Sequence, residues 1–386
     1  MSKMSRRLVL ITELIAPYRI PVFNAMARRS ELELHIIFLA ETDEALRQWR
    51  VYIDEIRFSY QVLRSWRWRM GKQNILINRG LGRALNKLRP QIIICGGYSY
   101  IASWEAQLWA RRHRVEFVLW TESTHQDARG KRPWVEWLKT YFLRHCDRFV
   151  VPGKASFDYL RLLASSSAEI LTAPNAVDNG WFAGQAGNIK SHAAEFRQRM
   201  NLPSRFILFA GRLVPEKGVF DLLAAYAKLD SSLRSEVGLV FAGDGISKTE
   251  LAKQAKQITP GTVFFPGFAQ REDLAGLYAL AELLVLPTHS DPWGLVVNEA
   301  MACGLPIIVS NVAGCAVDLV EDGWNGYIVP LRDAEKLSAA IDSVVQQPEM
   351  RLQMGARSLE LIRNYSPEAC ADGLAATAIS GPGEAL

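Results

Sequence analysis

The stretch Thr288-His-Ser-Asp-Pro-Trp-Gly-Leu-Val-Val-Asn-Glu-Ala-Met-Ala-Cys-Gly-Leu-Pro-Ile-Ile-Val309 decides how this chain is read. Two carboxylates, Asp291 and Glu299, stand on either side of a Trp-Gly turn, and the second lies on an apolar helix that ends at Gly304. Gly294 has no Cβ and tolerates unusual dihedrals, so backbone there can approach a ligand closely. The N–H groups of Gly294 and Leu295 are free at the start of the helix, where they form an anion site. Glu299 falls more than one turn into that helix, where it reaches neighbouring hydroxyls but not the same anion. An anion cradle flanked by two hydroxyl acceptors suits a sugar joined to a phosphate. The plainer alternative is a buried helix with a capping Asp, and the rest of the chain has to choose between the two.

Outward from this stretch, short apolar runs alternate with helical spacing. Phe206–Ala210, Gly238–Ala242, Thr262–Phe265, Leu283–Leu286 and Ile307–Val309 read as strands, with helices between them. The first half repeats the pattern with Leu8–Thr12, Leu34–Leu39, Gln91–Cys95, Glu116–Trp120 and Arg148–Val151, and with helical spacing over Ile20–Arg29, Trp104–Arg112 and Trp134–Cys146. Apolar strands separated by helices imply parallel sheets covered on both faces. The pattern lapses between Pro174-Asn-Ala-Val-Asp178 and Pro203. The expected organisation is therefore an α/β protein of two Rossmann-like domains, 1–180 and 205–364, joined by a linker over 181–204. A tail over 365–386 is expected to pack back towards the first domain. Two such sheets are expected to face a cleft, with ligands at the carboxyl ends of their strands.

With 386 residues, 49% hydrophobic and 22% charged, the chain has the composition of a soluble globular protein. No apolar run approaches the ~20 residues of a membrane-spanning helix. Glu13 breaks the first apolar run and no small-residue cleavage site follows, so that run reads as a strand rather than a signal peptide. Five scattered cysteines without metal-ligand spacing point to a reducing compartment, expected to be the cytoplasm, and to no zinc site. Charge is divided unevenly. Residues 1–180 carry 28 Lys and Arg against 17 Asp and Glu, whereas residues 181–386 carry 17 against 23. The first half is therefore the one that would face an anionic partner.

Strand Phe206–Ala210 runs into Gly211-Arg-Leu-Val-Pro-Glu-Lys-Gly218, which sets Arg212 and Lys217 on a strand-end loop. Two cations there can neutralise a diphosphate, Arg through a planar fork and Lys as a compact charge. A solvated basic loop would look the same taken singly. Gly243-Asp244-Gly245 ends the next strand in a tight turn, which is as readily an ordinary strand-to-helix turn as part of a nucleotide site. In Phe264-Phe-Pro-Gly-Phe268, Gly267 offers backbone to a base edge beside Phe268, although each phenylalanine alone reads as core.

The ordered set Gly-Arg-Leu-x-x-Glu-Lys-Gly, Gly-Asp-Gly, Phe-x-Gly-Phe and Asp-x7-Glu-Ala-Met-Ala-x-Gly-x-Pro resembles the retaining glycosyltransferases of family 4, nucleotide-sugar enzymes of the two-Rossmann GT-B architecture. Residues 205–330 carry the likeness, including Asp322-Gly-Trp-Asn-Gly-Tyr-Ile-Val329, and Pro174-Asn-Ala-Val-Asp178 resembles the family's Pro-Asn-Gly-Val-Asp. The resemblance implies that Arg212 and Lys217 meet the donor diphosphate and that Glu299 accepts hydrogen bonds from ribose hydroxyls. Asp291 would hold hydroxyls of the transferred sugar, and the Gly294 and Leu295 amides would meet the distal phosphate or sugar. The family usually has Glu where this chain has Asp291, which bears on sugar identity. It also implies a nucleoside-diphosphate sugar as donor, and no Asp-x-Asp pair stands by to hold a divalent ion, so no metal or other cofactor is expected.

The first loop, Glu13-Leu-Ile-Ala-Pro-Tyr-Arg-Ile-Pro21, has no glycine pair and looks like a subgroup of bacterial polysaccharide and lipopolysaccharide transferases that open with Pro-Tyr-Arg. Arg19 there supplies either a cation for the missing donor amides or a structural arginine opening the first helix. Thr121-Glu-Ser-Thr-His125 ends a strand at the expected cleft. Glu122 is the first choice to orient or deprotonate the acceptor and His125 the second, against a capping Glu and a surface His. The subgroup implies a glycan or lipid-linked acceptor. Two basic-aromatic stretches, Arg64-Ser-Trp-Arg-Trp-Arg-Met-Gly-Lys72 and Arg129-Gly-Lys-Arg-Pro-Trp134, suit contact with an anionic membrane surface, against the commoner solvated face. No nucleic-acid motif accompanies them. Two rival readings stay open: a nucleotide-sugar epimerase of the same fold, and a non-catalytic sugar-nucleotide-binding protein.

Overall fold

The computed structural model describes residues 5–43, 48–70, 73–125, 133–165 and 167–379. Two compact units emerge, one of residues 1–176 together with 367–386, the other of residues 177–366.

The first unit contains the strands β1 (Arg6–Thr12), β2 (Leu32–Phe38), β3 (Ser59–Val62), β4 (Arg64–Met70), β5 (Gln73–Arg79), β6 (Ile92–Gly96), β7 (Glu116–Trp120), β8 (Arg148–Val151) and β9 (Ile170–Thr172). Seven of them form a parallel sheet in the order β3-β2-β1-β6-β7-β8-β9, while β4 and β5 make a separate antiparallel hairpin. The apolar runs are continuous because both faces of the sheet are covered. Leu8, Leu10, Ile36, Phe38, Val118 and Trp120 enter one core. Their neighbours Val9, Ile11, Ile37, Phe117 and Leu119 enter the other. This is the period of two that an extended backbone imposes.

The helix Pro367–Ile379 belongs to this first unit, with Cys370, Leu374 and Ala378 in the same core as Phe23 and Trp120. A small residue is required where it crosses β9, since a Cβ on Gly373 would sit 2.2 Å from the Thr172 carbonyl oxygen. Residues 380–386 lie outside the described residues.

The second unit holds β10 (Phe206–Ala210), β11 (Gly238–Ala242), β12 (Val263–Gly267), β13 (Leu283–Leu286), β14 (Ile307–Ser310) and β15 (Gly326–Val329), all parallel, in the order β12-β11-β10-β13-β14-β15. Every residue of β10, β11, β13 and β14 is buried. Two parallel α/β sheets are thus present, as the alternating runs imply. The stretch 181–204, expected as a linker, instead carries most of the helix Asn179–Ser191 and the helix Ala193–Met200 within the second unit. Asp178 caps the first of these by accepting from the Trp181 amide at 2.9 Å. Their polar, Gly- and Ala-rich composition hides them, because each buries only one or two aromatic or alanine positions.

In both sheets the chain steps outward on one side of a founding strand and then returns to its other side. That reversal falls between β1 and β6 in the first unit and between β10 and β13 in the second. Loops leaving neighbouring strands there diverge to opposite faces and open a crevice at the carboxyl ends. Among the described residues no helix is long and apolar enough to cross a membrane.

Candidate functional site

The two loops that flank the reversal in the second unit are those that carry the charged candidates. The loop after β10 bears Arg212 and Lys217, and the loop after β13 bears Asp291 and leads to Gly294. Lys217 Nζ lies 2.5 Å from Asp291 Oδ2, with each side chain only 15% exposed. These loops are stitched through their backbones. The His289 amide donates to the Glu216 carbonyl at 2.8 Å, and Gly218 packs so closely on Pro287 that a Cβ would lie 1.9 Å from its oxygen. His289 Nε2 also meets Asp221 Oδ2 at 2.5 Å, tying the second loop to the helix that follows Lys217.

Gly294 starts the helix Leu295–Ala302 with φ 99°, a left-handed conformation that L side chains avoid. A Cβ there would also press on Leu286 Cδ2 at 2.8 Å. No side chain caps this helix end, so its first N–H groups are available to an anion. The turn before it is held by Trp293, whose indole donates to Asn298 Oδ1 at 2.8 Å in the core.

Glu299 lies on the same helix, one turn in. Its Oε2 accepts a hydrogen bond of 2.8 Å from the hydroxyl of Tyr278, a fully buried side chain on the helix Arg271–Leu280. Burial raises the Glu299 carboxyl to about 7, and the tyrosine bond pulls it down in part. A carboxylate kept in so apolar a place and given one donor is short of partners, which suits it to accept a ligand hydroxyl.

The remaining candidates of this unit are distributed less evenly. Arg212 is exposed and its side chain makes no hydrogen bond or ion pair among the described residues, while the backbone there is fixed by the Val214 amide donating to the Arg212 carbonyl at 3.0 Å and the Leu213 amide donating to the Asp244 carbonyl at 2.8 Å. Asp244 is engaged locally, with its carboxylate 2.7 Å from the Gly245 amide and 3.4 Å from Lys248 Nζ. Gly243 answers a packing demand, since a Cβ would fall 1.8 Å from the Gly211 oxygen. Gly267 ends β12 with φ 88°, has open space around it, and is followed by an exposed Phe268.

In the first unit, Arg19 is not an open cation. It pairs with Glu122, donates to Asn175 Oδ1 at 3.1 Å, and lies 4.0 Å above the Trp120 ring. The structure therefore brings Arg19, Glu122 and the Asn175 of the Pro-Asn-Ala-Val-Asp segment into one cluster at the carboxyl ends of β1 and β7. Glu122 is partly exposed, and its backbone carbonyl accepts from Ser156 Oγ at 3.1 Å. His125 is exposed and stands edge-on to Tyr159 at 4.9 Å, apart from the contacts of that cluster. Of the basic-aromatic stretches, Arg64–Met70 is β4, whereas Gly71, Lys72 and residues 129–132 lie outside the described residues.

Sequence reasoning did not single out Tyr278, Asp221, His289, Trp120 or Asn175. Tyr278 sits in a run with core spacing, and its 21-residue separation from Glu299 forms no short motif. Only the tertiary packing reveals the pair.

Residues 192–360 match the family described as Glycosyl transferases group 1, and residues 24–180 match Glycosyltransferase Family 4. An alpha-D-kanosaminyltransferase of Streptomyces kanamyceticus is 28% identical over 246 residues, 63% of each chain. A D-inositol 3-phosphate glycosyltransferase of Streptomyces griseus is 34% identical over 201 residues, 49% of this chain and 42% of the other. The chain thus spans less than two thirds of the length of these curated relatives. Among solved structures, Anabaena HepE in complex with UDP and glucose superposes with a TM-score of 0.75 at 15% identity, covering 97% of this chain and 99% of the other. Sucrose-phosphate synthase of Thermosynechococcus elongatus gives 0.74 at 19%, covering 97% and 98%. At these identities the superpositions show the fold alone. Residues 24–180 and 192–360 thus match two glycosyltransferase family models in turn, each largely on its own parallel sheet, and the chain has the two-Rossmann GT-B fold of the solved structures it superposes on.

Proposed function

We propose that this protein is a retaining, metal-independent glycosyltransferase that moves a sugar from a nucleoside-diphosphate sugar to a glycan or lipid-linked glycan acceptor, in cell-surface polysaccharide or glycolipid synthesis. The observation that carries the proposal is the convergence of Lys217, Asp291 and the uncapped helix start at Gly294 beside the sheet reversal, with Glu299 one turn further on. The relatives named above as glycosyltransferases, and the HepE complexes with UDP and UDP-glucose, support a nucleotide-sugar donor.

In this reading Arg212 and Lys217 meet the diphosphate, the Gly294 and Leu295 amides meet its distal phosphate or the sugar, and Glu299 accepts from the ribose hydroxyls. As the bond between the anomeric carbon and the phosphate oxygen lengthens, negative charge grows on the leaving diphosphate. Lys217, Arg212 and the amides stabilise that charge, and fixed donors of this kind act most strongly where charge develops. The acceptor hydroxyl attacks from the same face, and its proton passes to the departing phosphate. Asp291 holds sugar hydroxyls once the phosphate draws Lys217 away from it. Glu122, held by Arg19, orients the acceptor hydroxyl, with His125 as the alternative. The cation-rich first half contacts an anionic membrane surface peripherally from the cytoplasmic side.

Incubation with a panel of nucleotide sugars tests the reading. Slow release of free nucleotide, accelerated by a glycan or glycolipid acceptor, is expected. An isomerised sugar nucleotide would instead reveal an epimerase, and binding without turnover a non-catalytic protein.

A further inference from the structure

The hairpin β4–β5 has two unlike faces. Trp66 pairs across the ladder with Ile77, and Trp68 with Ile75, while Arg64 stands opposite Arg79. Alternation along the strands puts these six side chains on one side. On the opposite side, Leu76 is buried in the core, Asn78 donates to the Leu39 carbonyl at 2.5 Å, and Arg67 pairs with the buried Asp43. The inward face therefore anchors the hairpin to the unit and leaves the other outward.

That outward face is unusually apolar for a surface. Trp66, Trp68 and Ile77 are 53%, 66% and 41% exposed. The Arg79 guanidinium lies 5.0 Å above the Trp66 ring, so the cation and the aromatic form one platform. Between Arg64 and Trp68 on β4, and between Ile75 and Arg79 on β5, the face bears no carboxylate.

We propose that this face is the surface by which the protein settles on an anionic lipid bilayer, with Trp66 and Trp68 at the headgroup level and Arg64 and Arg79 against lipid phosphates. This deepens the peripheral contact proposed above and rests on it only for the side of the cell concerned. Tryptophan has an apolar body with one polar N–H, which favours the boundary between headgroups and acyl chains. Arginines beside it add attraction to anionic headgroups that fades within a Debye length. A sugar-binding platform would share the tryptophans, yet it needs acceptors for the sugar's hydroxyl protons. This face offers aliphatic isoleucines and cations in their place. The excess of Lys and Arg over Asp and Glu in residues 1–180 has the matching sign.

Sedimentation of the full-length protein with vesicles tests the assignment. Phosphatidylcholine vesicles containing phosphatidylglycerol are expected to carry it down at low salt, and pure phosphatidylcholine vesicles far less. The Arg64→Gln/Arg79→Gln variant should partition roughly 30-fold more weakly, because each cation near an anionic surface contributes about 1 kcal/mol. Trp66→Ser/Trp68→Ser should also lose binding, while both variants keep the wild-type circular dichroism and nucleotide release without acceptor. The proposal is overturned if wild type ignores anionic vesicles or binds both kinds equally, or if both double variants partition like wild type. It is likewise overturned if a soluble glycan competes for the tryptophans. Absence of nucleotide release with vesicle binding intact would count against glycosyl transfer and not against this surface.

Discussion

Tyr278 donates its hydroxyl proton to Glu299 Oε2 at 2.8 Å, joining two helices of the second unit through a carboxyl that burial has raised to about 7. The tyrosine bond favours the ionised form, so it keeps Glu299 more ionised at neutral pH than burial alone would allow. Donor affinity in wild type should therefore weaken as pH falls through about 7. In Tyr278→Phe this limb should move to higher pH. Calorimetric titration with nucleotide between pH 5.5 and 8.5 (roughly a unit and a half either side of neutrality) reads it, and an unmoved limb would refute the coupling.

The same carboxyl has a cost for stability, and its sign follows from linkage. Its folded value near 7 lies above the ordinary 4.5, so the folded protein binds more protons than the unfolded chain between those values. Stability from this group is therefore greatest below about 4.5 and is lost as pH rises towards 7. Glu299→Gln should be more stable than wild type at pH 7.5 by roughly 2–3 kcal/mol, with the gain vanishing near pH 4.5, while donor binding falls. Urea unfolding at the two pH values measures both ends.

Lys217 is held by Asp291 rather than standing free. Lys217→Ala, and separately Arg212→Ala, should each raise the barrier by roughly 2–4 kcal/mol, the scale of losing a donor to a developing anion. Values of kcat/KM decide this, and near-normal turnover in both would remove the role. Asp291→Asn should act oppositely on two readouts. Nucleoside diphosphate should bind more tightly by roughly 1–2 kcal/mol, since Lys217 no longer shares its charge, while sugar transfer falls.

Gly294→Ala is expected to cost about 1–3 kcal/mol for forcing a side chain into left-handed backbone, and further for its contact with Leu286. Thermal unfolding should show the loss, and donor binding should weaken with it because the helix start shifts.

In the first unit, Arg19→Ala leaves Glu122 without its cation and uncovers the Trp120 ring. Glu122 is 35% exposed, so water relieves part of the penalty and about 1–3 kcal/mol of stability should be lost. Arg19→Lys should recover only part of it, because an ammonium cannot both stack and reach two partners. Chemical denaturation distinguishes the two variants.

Much of this protein could be read without coordinates where one local rule dominates. Continuous apolar runs mark strands buried on both faces, so β1, β2, β6, β7, β8, β10, β11, β13 and β14 are each legible to within a few residues. Glycine between a Trp and an apolar helix marks the turn at Gly294. The hairpin β4–β5 was legible as composition but not as shape, since Arg67 points inward to Asp43 while Trp66 and Trp68 point outward. Residues 181–200 hide their helices because they bury so little. Only the tertiary structure decided which polar groups meet. Local sequence specifies backbone conformation through sterics and burial within a few residues. The pairs Tyr278–Glu299, Lys217–Asp291 and Arg19–Glu122 join residues 21, 74 and 103 positions apart, and such separations are closed only by the order in which parallel strands pack.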